Sequence, residues 1–405
     1  MRIPIYLALA TGALALLPKW AIEPSQAKPR KAEFSVVPSE DVHKKTMRIP
    51  GGYGPRKVTM ARDFESEVLG WGLSEKGIAI EKAWLATKGK GVRVAIFDTG
   101  IDTKHTELAG RVILEKNFTR SPNGTNDVHG HGTHCAGIVG MAANGKGFIG
   151  VAPECELINA KVLDDHGGGE LGWLPEAIRW AVEEGKANVI SMSIGAVDST
   201  SVDQFYPELR AMIRKVIAQG VIVIVAAGNE GPSERTVCYP GRYPEVICVS
   251  ASDINMNIAG FSSRGPEVTV AAPGDNIWSC IPGQRYAEWD GTSMACPHVA
   301  GVAALYVAAC QDVGTPPSQA EFREIITKTS RTRNTKPPST TSGWGLIQAE
   351  GFAARKRKII PPLPDHRLWS FQRDDFTESG WRKVQSVFPG LRTIHGEYEN
   401  PIPKK

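Results

Sequence analysis

The sequence predicts a three-layer α/β fold, a mainly parallel sheet with helices on both faces. Three observations carry this. Near-continuous apolar runs at 92–97, 157–162, Val189–Met192, 221–225 and 246–249 read as strands buried on both sides. Helical stretches at 174–184 and Pro207–Ala218 alternate with them, the pattern of strand–helix–strand crossovers. Residues that carry chemistry fall at strand ends or at turns into helices, where such sheets bind ligands.

In chain order, residues 3–17 form an apolar run behind Arg2, too short to span a bilayer and the right length for a signal-peptide core. Residues 1–21 therefore read as a secretion signal, with a retained anchor or an unrelated N-terminus as the alternative. Residues 22–70 are polar and Lys-rich, broken by Pro24, Pro29, Pro38, Pro50 and Pro55, and read as a prosegment or N-terminal extension. Residues 71–354 form one large domain, for which 405 residues at 41% hydrophobic and 22% charged supply ample core. Within it 293–310 reads as a helix of small residues able to pack in the interior, with Pro297 in its first turn. Residues 355–405 open on Arg355-Lys356-Arg357-Lys358 and Pro361-Pro362-Leu363-Pro364, a basic, Pro-rich linker, then carry six aromatics into an extension of unknown role.

Charge is uneven along the chain. Residues 2–76 hold 12 Lys/Arg against 8 Asp/Glu and residues 355–405 hold 11 against 6, so basic flanks bracket an acidic body. No nucleic-acid-binding module is visible. The seven cysteines, Cys135, Cys155, Cys238, Cys248, Cys280, Cys296 and Cys310, are an odd number and define no disulfide framework.

The chemistry is concentrated in four motifs. Asp290-Gly291-Thr292-Ser293-Met294-Ala295 sets Ser293 in a glycine-flanked turn entering a helix, the way a nucleophile is presented. Gly130-His131-Gly132-Thr133-His134 puts His131 at the start of another helix of small residues, a candidate general base. Val94-Ala95-Ile96-Phe97-Asp98-Thr99-Gly100 ends a buried strand in Asp98, suited to hold an imidazole in one tautomer. The order Asp, His, Ser is that of subtilisin. The fourth motif, Ala226-Ala227-Gly228-Asn229-Glu230-Gly231, follows an apolar run. Singly, each has a bland reading: a turn, a His-rich metal site, an aspartic-protease Asp-Thr-Gly.

Jointly and in order, the motifs resemble those of the subtilisin-like serine proteases, from about residue 71 to 354. The resemblance implies a serine endopeptidase that works through an acyl-enzyme with Asp98, His131 and Ser293, with Asn229 holding the oxyanion and no cofactor needed for catalysis. It implies that extended protein or peptide substrates lie between Ser193-Ile194-Gly195 and Gly167-Gly168-Gly169. The S1 pocket is then walled by Ser193 to Gly195 and by Ala226, Ala227 and Gly228, with Glu230 at its rim and Cys238 near its floor. Leu163, Leu171, Leu174 and Ile194 make an apolar S4 site. It also implies a structural calcium ion held by Glu107, Asn144 and the carbonyls of Ala142, Lys146 and Phe148, and a cis peptide at Tyr239-Pro240. The family often carries a cleft-blocking prosegment, but residues 22–70 look short and Pro/Gly-broken for one. His134 and His298 invite a zinc reading, yet the resemblance makes them structural helix residues. Cys135 and Cys296 read as buried packing residues. The expectation is a secreted or periplasmic monomer without stable membrane insertion. A catalytically silent binding protein on the same fold and a narrow processing protease are the alternatives.

Overall fold

A computed structural model describes residues 46–48, 57–60, 66–196, 202, 206–333 and 336–352. The signal-peptide expectation, most of the N-terminal extension and the C-terminal extension lie outside these residues.

The core is a seven-stranded sheet of β3 (Arg93–Asp98), β4 (Val112–Asn117), β5 (Glu156–Lys161), β7 (Val189–Met192), β8 (Ile222–Ala226), β9 (Ile247–Ser252) and β10 (Val270–Pro273). Its order is β10-β9-β8-β7-β3-β5-β4 and every pairing is parallel. Strand side chains alternate between faces. Val94 and Ile96 therefore enter one core with α2 (His131–Gly140) and α5 (Thr292–Asp312), while Ala95 and Phe97 enter the other with α3 (Leu174–Glu183) and α4 (Pro207–Ala218). The three-layer expectation is met. The run 92–97 starts one residue later as a strand, and β9 extends past 249 to Ser252. β4 escaped the sequence reading because it is an edge strand with alternating half-burial rather than a continuous apolar run. A three-stranded antiparallel ribbon of β11 (Ile277–Ile281), β12 (Arg285–Trp289) and β2 (Lys57–Met60) lies apart from the main sheet.

Helix α5 is long and apolar enough to cross a membrane, but it is buried from Thr292 to Cys310 and is a core helix. It starts at Thr292, so Pro297 is its sixth residue and not in the first turn as expected. A proline there costs about 3 kcal/mol or more by deleting the bond to the carbonyl four residues back. Val299, Val302, Leu305 and Val307 are wholly buried around it, at roughly 1.5–3 kcal/mol each, so packing outweighs the loss. The freed carbonyl is that of Ser293. It accepts from Ser193 Oγ at 2.9 Å and from Cys135 Sγ at 3.3 Å.

A short antiparallel pair completes the fold: β1 (Thr46–Arg48) on β6 (Gly168–Glu170), with Met47 opposite Gly169.

Candidate active site

Asp98 is the last residue of β3, and Thr99 N–H donates to its Oδ1 at 2.7 Å. The same oxygen lies 2.7 Å from His131 Nδ1, with both side chains almost fully buried. α2 reaches this close because Gly132 has no side chain: a Cβ there would sit 2.1 Å from the Gly100 carbonyl and 3.1 Å from Asp98 Cβ. His131 Nε2 has no partner among the described residues. Cys135 joins the two halves of the site, with Sγ 3.9 Å from His131 Nδ1 and 3.3 Å from the Ser293 carbonyl. Ser293 Oγ donates to the Ser193 carbonyl at a long 3.5 Å, a contact weak enough to give up.

Asn229 is oriented by Thr292, whose N–H and hydroxyl both donate to Asn229 Oδ1 at 2.9 Å; Gly228 N–H in turn holds that hydroxyl at 3.1 Å. Asn229 Nδ2 lies beside Gly291. That glycine has φ 150°, and a Cβ on it would lie 3.2 Å from Asn229 Nδ2 and 3.5 Å from Ser293 N. Asn229 Nδ2 and Ser293 N thus stand near one point beside Gly291, the two donors the resemblance expects for an oxyanion.

Sequence reasoning missed Asp127. It is 5% exposed. Its Oδ1 accepts from Thr99 Oγ1 (2.9 Å), His129 N (3.1 Å) and Gly130 N (2.7 Å), and its Oδ2 from Thr133 N (2.8 Å) and Oγ1 (2.6 Å). It caps the helix that begins at His131 and ties it to the residue after Asp98. The sequence carried no signal for it, since Asp127 lies three residues before the N-cap, Gly130, rather than at it. Lys161 was missed too: it is fully buried, donates to the Thr99 carbonyl and pairs with Asp165 at 3.1 Å.

Of the expected substrate residues, Leu163, Leu171, Leu174 and Ile194 meet in one buried cluster, and Met47 belongs to it. Met47 Cε stands 2.9 Å, and Leu163 Cδ2 3.1 Å, from where a Gly169 Cβ would be, so this methionine fills the apolar site beside the glycine edge. Gly167, in the left-handed region at φ 77°, turns the chain into that edge. Ser193, Ala226, Ala227 and Cys238 are buried. Cys238 Sγ and Ser263 Oγ stand 2.7 Å and 2.9 Å from a Cβ on Gly228, and that hydroxyl receives Glu230 N–H at 3.0 Å. Gly195 continues from Ile194 toward Ala196, which bridges to Tyr239. Tyr239-Pro240 is cis.

Burial pushes His134 down to about 3 and His298 down to about 4, so both are neutral. His134 Nε2 meets the Ala287 carbonyl at 3.0 Å and its ring stacks on Trp289, while His298 Nδ1 meets the Met294 carbonyl at 2.8 Å. Both are structural. All seven cysteines are buried, and none forms a disulfide among the described residues. Burial raises the Cys135 thiol well above its ordinary range and the Cys296 thiol to about 12. The donor atoms of Asp98, His131 and Cys135 lie close enough to hold a metal, but a thiol so raised is a poor ligand.

The calcium expectation finds no support in the geometry. Glu107 Oε1 accepts from Tyr286 OH and its Oε2 from Asn144 Nδ2 at 2.9 Å, while Asn144 Oδ1 is taken by Lys146 N–H at 3.0 Å. Burial raises the Glu107 carboxyl, favouring its neutral form. Ala142 N–H bonds the Glu107 carbonyl, and Phe148 stacks on Trp278. Donors rather than oxygens converge on Glu107, so the set does not fit an ion that needs six to eight oxygens.

A buried carboxylate–imidazole pair beside a helix-presented serine, at the strand ends of a parallel α/β sheet, defines the class of serine peptidases with Asp–His–Ser order. The model of the subtilase family matches residues 89–345, so the chain belongs to the subtilase family and is a serine endopeptidase. It is 43% identical over 229 residues to an intracellular serine protease of Paenibacillus polymyxa, covering 55% of this chain and 68% of the relative. It is 40% identical over 242 residues to the major intracellular serine protease of Bacillus subtilis (strain 168), covering 57% and 74%. Subtilisin DY of Bacillus licheniformis is 38% identical over 268 residues, covering 66% and 92%.

Proposed function

We propose that this endopeptidase cleaves proteins that lie extended along β6, by the following division of labour. His131 Nε2 takes the proton of Ser293 as Oγ attacks the scissile carbonyl. Asp98 holds His131 Nδ1–H and stabilises the imidazolium. Asn229 Nδ2 and Ser293 N–H receive the oxyanion. His131 then protonates the leaving amine, and water repeats the sequence on the acyl-enzyme.

The observation that carries the reading is β1, a stretch of this chain paired antiparallel with Gly168–Glu170 and seating Met47 among Leu163, Leu171 and Leu174. An edge that takes its own chain as an added strand, with a side chain in a pocket, is built to take peptides by backbone bonds. In this reading the N-terminal segment is a restraint lying in the cleft as a bare strand, which removes the need for a folded prodomain. P1 choice rests with the pocket formed by 193–195 and 226–228, where Glu230 at the rim favours Arg or Lys over Phe or Leu.

Location has two readings. Export rests on the run 3–17. Retention in the cytoplasm is favoured by seven cysteines that form no disulfide among the described residues and by two relatives named intracellular. Cell fractionation separates them.

The function is tested by expressing the wild type and Ser293→Ala, then measuring casein cleavage and labelling by a fluorophosphonate. The wild type is expected to label at Ser293 and to cut casein, and the variant to do neither. A mature wild type that takes no label would overturn the assignment.

A further inference from the structure

A cavity of about 390 Å³ opens where Ser252 ends β9, and Arg264, Arg331 and Arg333 line it with Asn257, Thr341 and Ser342, none of them a residue of the Asp98–His131–Ser293 set. Three arginines line this space and no carboxylate does. Among the described residues none of the three arginines forms an ion pair with an acid. Asp253, beside Ser252, spends its carboxylate on its own loop: Oδ1 accepts from Asn255 N and Asn257 N at 2.8 Å each, and Oδ2 from Asn257 Nδ2 at 2.9 Å.

The arginines are held in place by neutral groups. Arg331 donates through Nη1 and Nη2 to the carbonyls of Glu75 and Lys76 at 2.9 and 2.8 Å, and Arg333 donates through Nη1 to the Asn255 carbonyl and to Asn257 Oδ1 at 2.6 Å. Arg264 Nε and Arg331 Nε are buried donors with no acceptor among the described residues. Buried N–H groups without acceptors are costly, and like charges gathered around one space repel. A ligand with several anionic oxygens relieves both at once, because planar guanidinium groups match carboxylate and phosphate in pairs of bonds. The volume reaches the lower range of small-molecule sites, roughly 300–1,000 Å³, so it suits an anion larger than chloride.

We propose that this cavity binds a small polyoxyanion, carboxylate or phosphate, on residues other than the catalytic ones. The test uses the full-length chain carrying Ser293→Ala to prevent self-digestion. Citrate and inorganic phosphate are titrated against chloride at constant ionic strength, with calorimetry and melting temperature as readouts. Saturable binding with a rise in melting temperature is expected for at least one: citrate alone identifies the carboxylate class, phosphate alone the phosphate class, and both the shared chemistry. The double variant Arg264→Gln with Arg333→Gln is expected to weaken binding at least about tenfold, as loss of charge-assisted bonds does. Arg333→Gln alone, at an exposed position, covers the case in which the double variant fails to fold, and is expected to weaken binding by about half that loss on a logarithmic scale. No saturable binding of either anion to the parent chain at tens of millimolar, or unchanged affinity in a folded variant, overturns the proposal.

Discussion

Replacing Asp127 by Ala tests how the site is held rather than what it does. The carboxylate accepts five hydrogen bonds, three on Oδ1 and two on Oδ2, and is 5% exposed. Each buried donor left without an acceptor costs roughly 1–3 kcal/mol, but the five share one acceptor and water can enter the space left. A combined loss of about 3–5 kcal/mol is the expectation, in line with breaking a buried charged network. Against a total stability of about 5–15 kcal/mol the variant still folds at 25 °C. What it loses is position: the helix start carrying His131 is no longer tied to Thr99, and a shift near 1 Å costs about 10²-fold in rate. Asp127 lies on no substrate edge, so kcat falls while KM stays within a few-fold. Asp127→Asn keeps an acceptor for the Oδ1 donors, sets an NH2 against Thr133, and falls between. Urea denaturation in a Ser293→Ala background gives the stability term, and peptide p-nitroanilide hydrolysis gives kcat and KM. A variant with kcat within twofold of the parent would refute the reasoning, because Asp127 would then be a cap and nothing more.

Four further outcomes follow from the site. Asn229→Ala is expected to lower kcat by about 10²–10³, the loss known for the corresponding donor in subtilisin, a family member; peptide kinetics with KM unchanged checks it. Met47→Asp puts a carboxylate into the apolar site beside Gly169, so the full-length chain hydrolyses peptides faster at first mixing than the parent; equal initial rates would remove β1 as a restraint. A chelator is expected to leave the melting temperature unchanged, since donors already satisfy Glu107; a clear drop would restore the calcium loop. His298 is neutral in the fold down to about 4, whereas its unfolded counterpart takes a proton near 6.5. Its folded pKa is depressed, so its contribution is intact above pH 6.5 and is lost as pH falls toward 4, at about 1.4 kcal/mol per pH unit. Denaturation of Ser293→Ala at stepped pH, compared with the same chain carrying His298→Gln, is expected to show a shallower acid loss in the latter.

The parts of this molecule legible in the sequence are those whose cause is local. Strands 189–192 and 222–226 announce themselves because a parallel strand covered on both faces is apolar at nearly every position, the small Ser191 excepted. Asp98, His131 and Ser293 were legible because glycines must flank groups that approach a substrate. The β1–β6 pairing was not, since a three-residue strand has no periodicity to read and its partner is largely glycine. Pro297 was misplaced by one turn because helix starts are uncertain by a residue or two, and here the first turn begins at Thr292. Asp127 looks like any loop carboxylate until the fold surrounds it with donors. The calcium expectation took no account of a long-range contact, Tyr286 reaching Glu107 from the β12 ribbon, which no local pattern reveals.

Because β1 is joined to β2 by only the eight residues from 49 to 56, the proposed restraint would compete for the cleft at an effective concentration in the millimolar range. Diluting the enzyme cannot relieve such a competitor, unlike a peptide free in solution. Once the tether is cut, the freed fragment is set by its bulk concentration and washes out. Progress curves of the full-length protein should therefore show a lag whose length, plotted against enzyme concentration, tells whether each molecule cuts its own tether or waits for a neighbour.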